Sequence, residues 1–265
     1  MAIFNVGFAR GEITPPYGFH LVGYPTLRVS DGTLDPLLAS VLCLSDGEKK
    51  LLVISLDSIG MDKDNTVRMK EILEKETGVP AINIFICCTH IHTGPALSRK
   101  YGDWYNDEVF CLTAERTVAI AKDAVADLAP AKAFCNKAET PVEISFIRRF
   151  MMKNGKTMTN PGFLNPDIAY PLGEADHRVA LTLFKREDKP EIALINFQVH
   201  PDVVGGTAYS ADFPGFARRT YEAAMPNSIC MYINGAQGDT NHYNVKTPAD
   251  LPRTSRGDVR SRATE

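Results

Sequence analysis

Two histidines two residues apart, His90 and His92, stand in Cys88-Thr89-His90-Ile91-His92-Thr93-Gly94-Pro95, at the end of the apolar run 81–87. On an extended strand, residues i and i+2 face the same side. A strand leaving the core here aims both imidazoles at one metal ion or one substrate atom. The Gly-Pro pair stops regular structure and exposes the loop. Three more apolar segments end in residues of catalytic type: Asp57 after 51–56, His200-Pro201-Asp202 after 191–199, and Asn234 and Asp239 after 229–233. In open α/β sheets, sites form beyond the carboxyl ends of strands. If these ends share an edge, three histidines and several carboxylates meet there. Plainer readings stand beside this one. Asp57 could equally cap a turn, His200 could simply end its strand, and Asn234-Gly235 could be only a turn. Two histidines together before Gly-Pro favour function. Arg148-Arg149 is either a solvated pair or a clamp for a carbonyl or carboxylate. His20, His177 and His242, in polar surroundings, read as surface residues.

The elements that must position these groups follow from hydrophobic period and punctuation. Residues 11–18, with Gly11, Pro15, Pro16 and Gly18, read as a turn-rich loop. Residues 41–44 and 51–57 flank Asp46-Gly47 and predict a hairpin of two buried strands. Residues 65–77 predict a helix, with Val67, Met69, Ile72 and Leu73 on its apolar face and Gly78-Val79-Pro80 as its stop. A strand over 82–88 precedes the histidines. Residues 106–128 predict a long helix with Val118, Ala121, Val125 and Leu128 on one stripe. A strand over 143–150 is followed by a long Asn-, Pro- and Gly-rich loop, 151–174, of the kind that is usually functional or mobile. Strands over 179–184 and 191–200, a helix over 214–225 and a strand over 229–233 complete the chain. Strands alternating with helices give an α/β domain, and the hairpins make its sheet mixed. The expected fold is a mixed β-sheet core flanked by helices, with the site at the strand C-terminal ends.

The bulk properties exclude several classes. The chain has 265 residues, enough for one large α/β domain or two small ones and for a substantial core. Hydrophobic residues are 44% and charged residues 23%, as in ordinary globular proteins. A net charge of -3 with scattered Lys and Arg offers nothing to nucleic acid or an anionic membrane surface. No apolar run is long enough to cross a bilayer, and the first residues lack the basic and apolar regions of a signal peptide. Six cysteines, most inside apolar segments and without a Cys-x-x-Cys pair, read as buried reduced thiols. Together these predict a cytoplasmic protein.

Read in order, the motifs resemble the N-terminal catalytic domain of the neutral/alkaline non-lysosomal ceramidase family. They are Gly7-Phe8-Ala9 to Ile13-Thr14-Pro15-Pro16, Gly23-Tyr24, Asp35-Pro36-Leu37, Ser55-Leu56-Asp57, Thr89 to Pro95, Asn165-Pro166-Asp167, Asn196 to His200, Ser210-Ala211-Asp212-Phe213-Pro214-Gly215 and Asn234 to Asp239. They cover nearly the whole chain. The histidine motif and the Ser-Ala-Asp-Phe-Pro-Gly segment are the most specific. The resemblance implies a zinc-dependent amidohydrolase of sphingolipid metabolism, acting on a small-molecule or lipid-like N-acyl substrate. It implies zinc ligands at His90 and His200, with His92 beside the reacting carbonyl and Arg148 binding or polarising the substrate. Zinc takes neutral imidazoles and keeps an open position. It also implies a catalytic domain over 1–250 lacking the family's C-terminal part, and a polar tail over 251–265.

Two departures qualify the substrate. The family completes its zinc site with a Glu and a Tyr from further along the chain, which have no counterpart here. Asp57, Asp212, Asp239 or a partner chain are the candidates to replace them. The family's active-site serine falls on Asn241, with Thr240 as the neighbouring hydroxyl, which puts ceramide itself in question. A truncated or degenerate ligand-binding relative is therefore the competing expectation. A phosphoesterase ranks below both, because it needs carboxylate-bridged paired metals.

Overall fold

The structure is a computed structural model and describes residues 4–246. The tail expected at 251–265 lies outside the described residues. In chain order the main elements are β1 (Asn5–Glu12), β2 (Leu38–Ser45), β3 (Lys50–Leu56), α1 (Lys63–Thr77), β4 (Ile84–Cys88), α2 (Asp107–Ala126), β5 (Ala129–Glu139), β6 (Arg178–Arg186), β7 (Glu191–Phe197), α3 (Asp212–Ala224) and β8 (Ser228–Asn234). The eight strands form one mixed sheet in the order β8-β7-β6-β5-β1-β2-β3-β4. Its inner pairings are antiparallel. The outer pairs, β3–β4 and β7–β8, are parallel. A parallel pair needs a crossover, and α1 and α3 supply the two crossovers. The architecture is the mixed α/β sheet expected from the sequence.

Alternation along the strands builds two apolar layers. Val41, Cys43, Leu52, Ile54 and Leu56 point to the face covered by α1 and α2, through Met69, Leu73, Phe110 and Ala121. Their neighbours Leu42, Leu44 and Val53 point the other way, to a second core with Val6, Phe8, Phe184, Ile192 and Met231. That second core joins strands from both halves of the sheet. The halves are linked by a short join, because β1 and β5 pair only at Asn5↔Pro130 and Val6↔Ala129. The sheet folds over at this join, so the two parallel pairs at its ends meet. Ser55 Oγ on β3 donates to the Tyr232 carbonyl on β8 at 2.8 Å.

The helices begin and end where their caps dictate. Asp62 accepts from Asn65 N at the start of α1, and Gly78 closes it at φ 71. Asn106 accepts from Glu108 N at the start of α2. Val67, expected on the apolar face of α1, is 45% exposed; Met69 and Leu73 carry that face. Several expectations are corrected. Gly11 and Glu12 lie in β1, paired with Ala39 and Leu38, and not in a loop. The 143–150 strand is broken: Phe146–Ile147 pairs with Thr240–Asn241, and Arg149–Met152 enters a separate three-stranded sheet. That sheet draws its other strands, Thr157–Thr159 and Ile168–Pro171, from the expected loop over 151–174. No helix among the described residues is long and apolar enough to cross a membrane. The described cysteines are free thiols, with Cys43 and Cys230 buried but Cys111 and Cys135 exposed.

Asp57 ends β3 and is 1% exposed. Its carboxylate receives Arg218 of α3 in a bidentate pair, Nη2 to Oδ2 at 2.6 Å and Nη1 to Oδ1 at 3.0 Å. It also accepts from Leu38 N at 2.9 Å and Thr89 Oγ1 at 3.2 Å. Asp57 is thus a buried tie between strand ends and not a metal ligand. Removing one partner of such a pair strands a buried charge and costs about 3–5 kcal/mol. Asp57→Ala is expected to lose about that much in urea unfolding, while Asp57→Leu combined with Arg218→Met recovers most of it. A single variant as stable as the parent contradicts the assignment.

Candidate metal centre

The histidine loop is built by a turn. β4 ends at Cys88, and His90 adopts φ 65, in the left-handed region. The expected strand geometry for the pair is therefore not realised; His90 and His92 converge because the backbone reverses between them and the strand. Thr89 N and His90 N donate to the Leu56 and Ser58 carbonyls, pinning the turn to the end of β3. Asn234, ending β8, donates from Nδ2 to the Thr89 carbonyl at 2.5 Å. The Ser-Ala-Asp-Phe-Pro-Gly segment holds the other side. The Ser210 carbonyl accepts from Thr93 Oγ1 at 2.8 Å, and Asp212 Oδ2 accepts from Val203 N and Val204 N at 3.0 and 2.9 Å. One segment thus braces both histidine loops.

The result is a cluster of three imidazoles. Ring centroids are 5.4 Å apart for His90 and His92, 4.8 Å for His90 and His200, and 5.0 Å for His92 and His200. Nε2 of His92 and of His200 lie 3.1 Å apart. One nitrogen from each of the three falls within 4.8 Å of the others, close enough to share an ion. Two ligands at zinc distances in a tetrahedron sit roughly 3.3 Å apart, so the His92–His200 spacing suits a shared ion. Backbone carbonyls orient two of the rings from behind: Ile59 O lies 2.6 Å from His90 Nδ1 and Gln237 O lies 3.3 Å from His200 Nδ1. Such outer partners fix the tautomer of a metal-binding histidine.

Electrostatics favours the neutral form. Burial, followed by the charges of neighbouring His90, Arg28 and Arg148, pushes His92 down to about 3. Burial and Arg148 push His200 down to about 4. Burial also lowers His90, with Arg148 and Lys100 acting in the same direction. Neutral, convergent imidazoles fit a divalent first-row ion.

Arg148 is half-buried, its Nε and Nη2 donating to the Gly238 carbonyl at 3.1 and 2.7 Å. Thr240 is fully buried, and its hydroxyl donates to the Gln237 carbonyl that also faces His200. Asn241 is 1% exposed, with Nδ2 bonded to Asn160 Oδ1 at 2.7 Å. Of the acids named as replacement ligands, Asp57 is committed to Arg218 and Asp212 to the Val203 and Val204 amides. Asp239 meets the site through its carbonyl, which accepts from Arg148 N. Among the described residues, the candidate metal group contains histidines alone.

Three residues flank His92: Asp202, named from sequence among the strand-end residues, and Tyr24 and Arg28, which were not assigned to the site. Tyr24 donates its hydroxyl to Asp202 Oδ1. Arg28 lies 4.3 Å over the Tyr24 ring and donates to the carbonyls of His92, Val22 and Gly206. Asp202 Oδ1 faces His92 Nδ1 at 3.6 Å. Gly23, at φ 115, is needed for close approach, since a Cβ there would sit 2.6 Å from the His92 ring. The available signal was the Gly23-Tyr24 motif and the Asp two residues beyond His200.

The depressed histidines make stability depend on pH. The unfolded chain protonates them near 6.5; the folded chain holds His92 and His200 neutral down to about 3 and about 4. Between those values the unfolded state binds more protons, so stability falls on acidification. Asp212, raised to about 7 by burial, opposes the three lowered histidines with one proton. The metal-free protein is expected to lose at least about 1.4 kcal/mol per pH unit between about pH 6.5 and 4. Urea midpoints check this: His92→Gln flattens the slope, and an unchanged slope in that variant contradicts it.

No protein-family model matches the chain, and no curated protein matches its sequence significantly. Solved structures do match. The crystal structure of neutral ceramidase from Pseudomonas aeruginosa superposes with a TM-score of 0.79 at 18% identity, covering 100% of this chain and 43% of that one. A ceramidase complexed with C2 gives 0.73 at 18% identity, covering 91% of this chain and 39% of that one. The chain spans about two fifths of the length of each. Its fold is that of the neutral ceramidases.

Proposed function

We propose that this chain is a zinc-dependent hydrolase that cleaves the amide bond of a small or lipid-like N-acyl substrate with water. The observation that carries the reading is the convergence of His90, His92 and His200 as neutral imidazoles at the strand ends of a ceramidase-like fold. His90 and His200 would hold the ion, each oriented by a backbone carbonyl. When bound, zinc supplies a Lewis acid for the carbonyl oxygen and lowers the pKa of water to about 7. His92 takes the proton from the attacking water and returns it to the departing amine nitrogen as the C–N bond breaks. Arg148 fixes the acyl carbonyl with the guanidinium nitrogen not spent on Gly238. Thr240 acts on His200 through the shared Gln237 carbonyl.

A second reading, a ligand-binding relative without turnover, is favoured by one observation. The Thr240 hydroxyl proton is donated to the backbone and an Asn241 amide proton to Asn160, so neither of these protons is available to a substrate.

Metal analysis and hydrolysis assays separate the two. Purified protein is expected to hold one equivalent of zinc, lost in His90→Ala and His200→Ala. His92→Ala keeps the zinc and loses turnover on an N-acyl substrate panel by about 100-fold or more. Zinc below one equivalent and unchanged by His90→Ala overturns the hydrolase reading. Bound zinc with no turnover on the panel supports the second.

A further inference from the structure

Three lone pairs meet in this cluster only if each imidazole carries its proton on the outward nitrogen. A carbonyl accepts and never donates. Ile59 therefore keeps the His90 proton on Nδ1, and Gln237 does the same for His200. Both Nε2 atoms are left as lone pairs. His92 has two choices. A proton on Nε2 makes a hydrogen bond to His200 Nε2, 3.1 Å away, and consumes the His200 lone pair. A proton on Nδ1 sits on an atom that is buried and has no hydrogen-bond partner, facing the Asp202 carboxylate at 3.6 Å.

We propose that Asp202, anchored by Tyr24, is the positioning residue that keeps the His92 proton on Nδ1 and so turns the His92 Nε2 lone pair toward His90 and His200. A hydrogen bond to a carboxylate is roughly twice as strong as one between neutral groups, and the buried setting increases the difference. Once formed, a bond to the Asp202 carboxylate outcompetes the bond to His200. The 3.6 Å separation exceeds a hydrogen bond by about half an ångström. A small tilt of the imidazole ring closes the gap.

Asp202 is held for this task from several directions. Its backbone N–H donates to the His200 carbonyl at 2.9 Å. The next two amides donate to Asp212, and Tyr24 donates to the carboxylate itself. Arg28 lies on the Tyr24 ring and donates to the His92 carbonyl at 2.7 Å. The same few residues therefore hold both the acceptor and the imidazole. The tautomer leaves the inward Nε2 lone pair of His92 free to take a proton, the role given to it above.

The inference rests on the reading of the three histidines as one functional centre, and its test needs neither zinc nor substrate. Long-range proton–nitrogen correlation spectra of histidine-labelled, metal-free protein near neutral pH report each tautomer. Wild type is expected to show Nδ1–H at His90, His92 and His200. In Asp202→Ala, His92 moves to Nε2–H while His90 and His200 keep their signals, which also confirms the fold. A wild-type His92 protonated on Nε2 overturns the proposal even if the variant fails to fold. So does a folded Asp202→Ala protein with His92 still Nδ1–H. Failure of the hydrolase reading shows separately, as missing zinc or turnover with the tautomers intact.

Discussion

The bidentate pair between Asp57 and Arg218 is the contact on which the site's geometry depends. Asp57 closes β3 at one end of the sheet, and Arg218 comes from the helix that packs on β8 at the other. Two charges this deeply buried are expensive unless every lone pair is used. Here the carboxylate also takes Leu38 N and Thr89 Oγ1, so the strand ends can pack only in one arrangement. Thr89 immediately precedes His90. The tie that folds the sheet over is thereby one residue from the first imidazole of the cluster.

A second constraint is electrostatic. Three imidazoles packed within ring contact cannot all be charged, and burial beside Arg28 and Arg148 drives them neutral. The proton is removed from the cluster's centre and placed on its outside, against carbonyls and a carboxylate. Stability at mild acid is given up in exchange for a centre able to receive a cation. Each imidazole is oriented by a group from a different loop: Ile59 after β3, Gln237 after β8 and Asp202 after β7. The site is therefore coupled to the closure of the whole sheet and not to one local motif.

Much of the fold was legible along the chain because it is carried by local physics. The β2 and β3 segments are apolar on both faces, and both faces turn out to be buried. The Gly78 stop and the start expected at Asn106 mark helix ends within a residue or two. β5 was not legible: Ala129–Glu139 mixes Ala, Lys, Asn and a single Phe, and most of it is exposed, so no periodicity marks it. β1 was hidden because Gly11 read as the start of a turn-rich loop. Gly7 lies against the end of α2, where a Cβ would meet the Ala124 carbonyl at 2.1 Å, and a sequence does not show that closeness.

The chain alone determined which groups could do chemistry, since His90, His92, His200 and Arg148 are identifiable by type and by their place after apolar runs. It also determined that strands and helices alternate. Only the tertiary structure decided that the histidines meet, because that depends on a left-handed turn at His90 and on the sheet folding over between β1 and β5. It alone separated Asp57, consumed by Arg218, from Asp202, which faces His92 beside Tyr24 and Arg28. Residue type sets what a carboxylate can do; its neighbours, brought from up to 178 positions away in the case of Tyr24 and Asp202, set what it does.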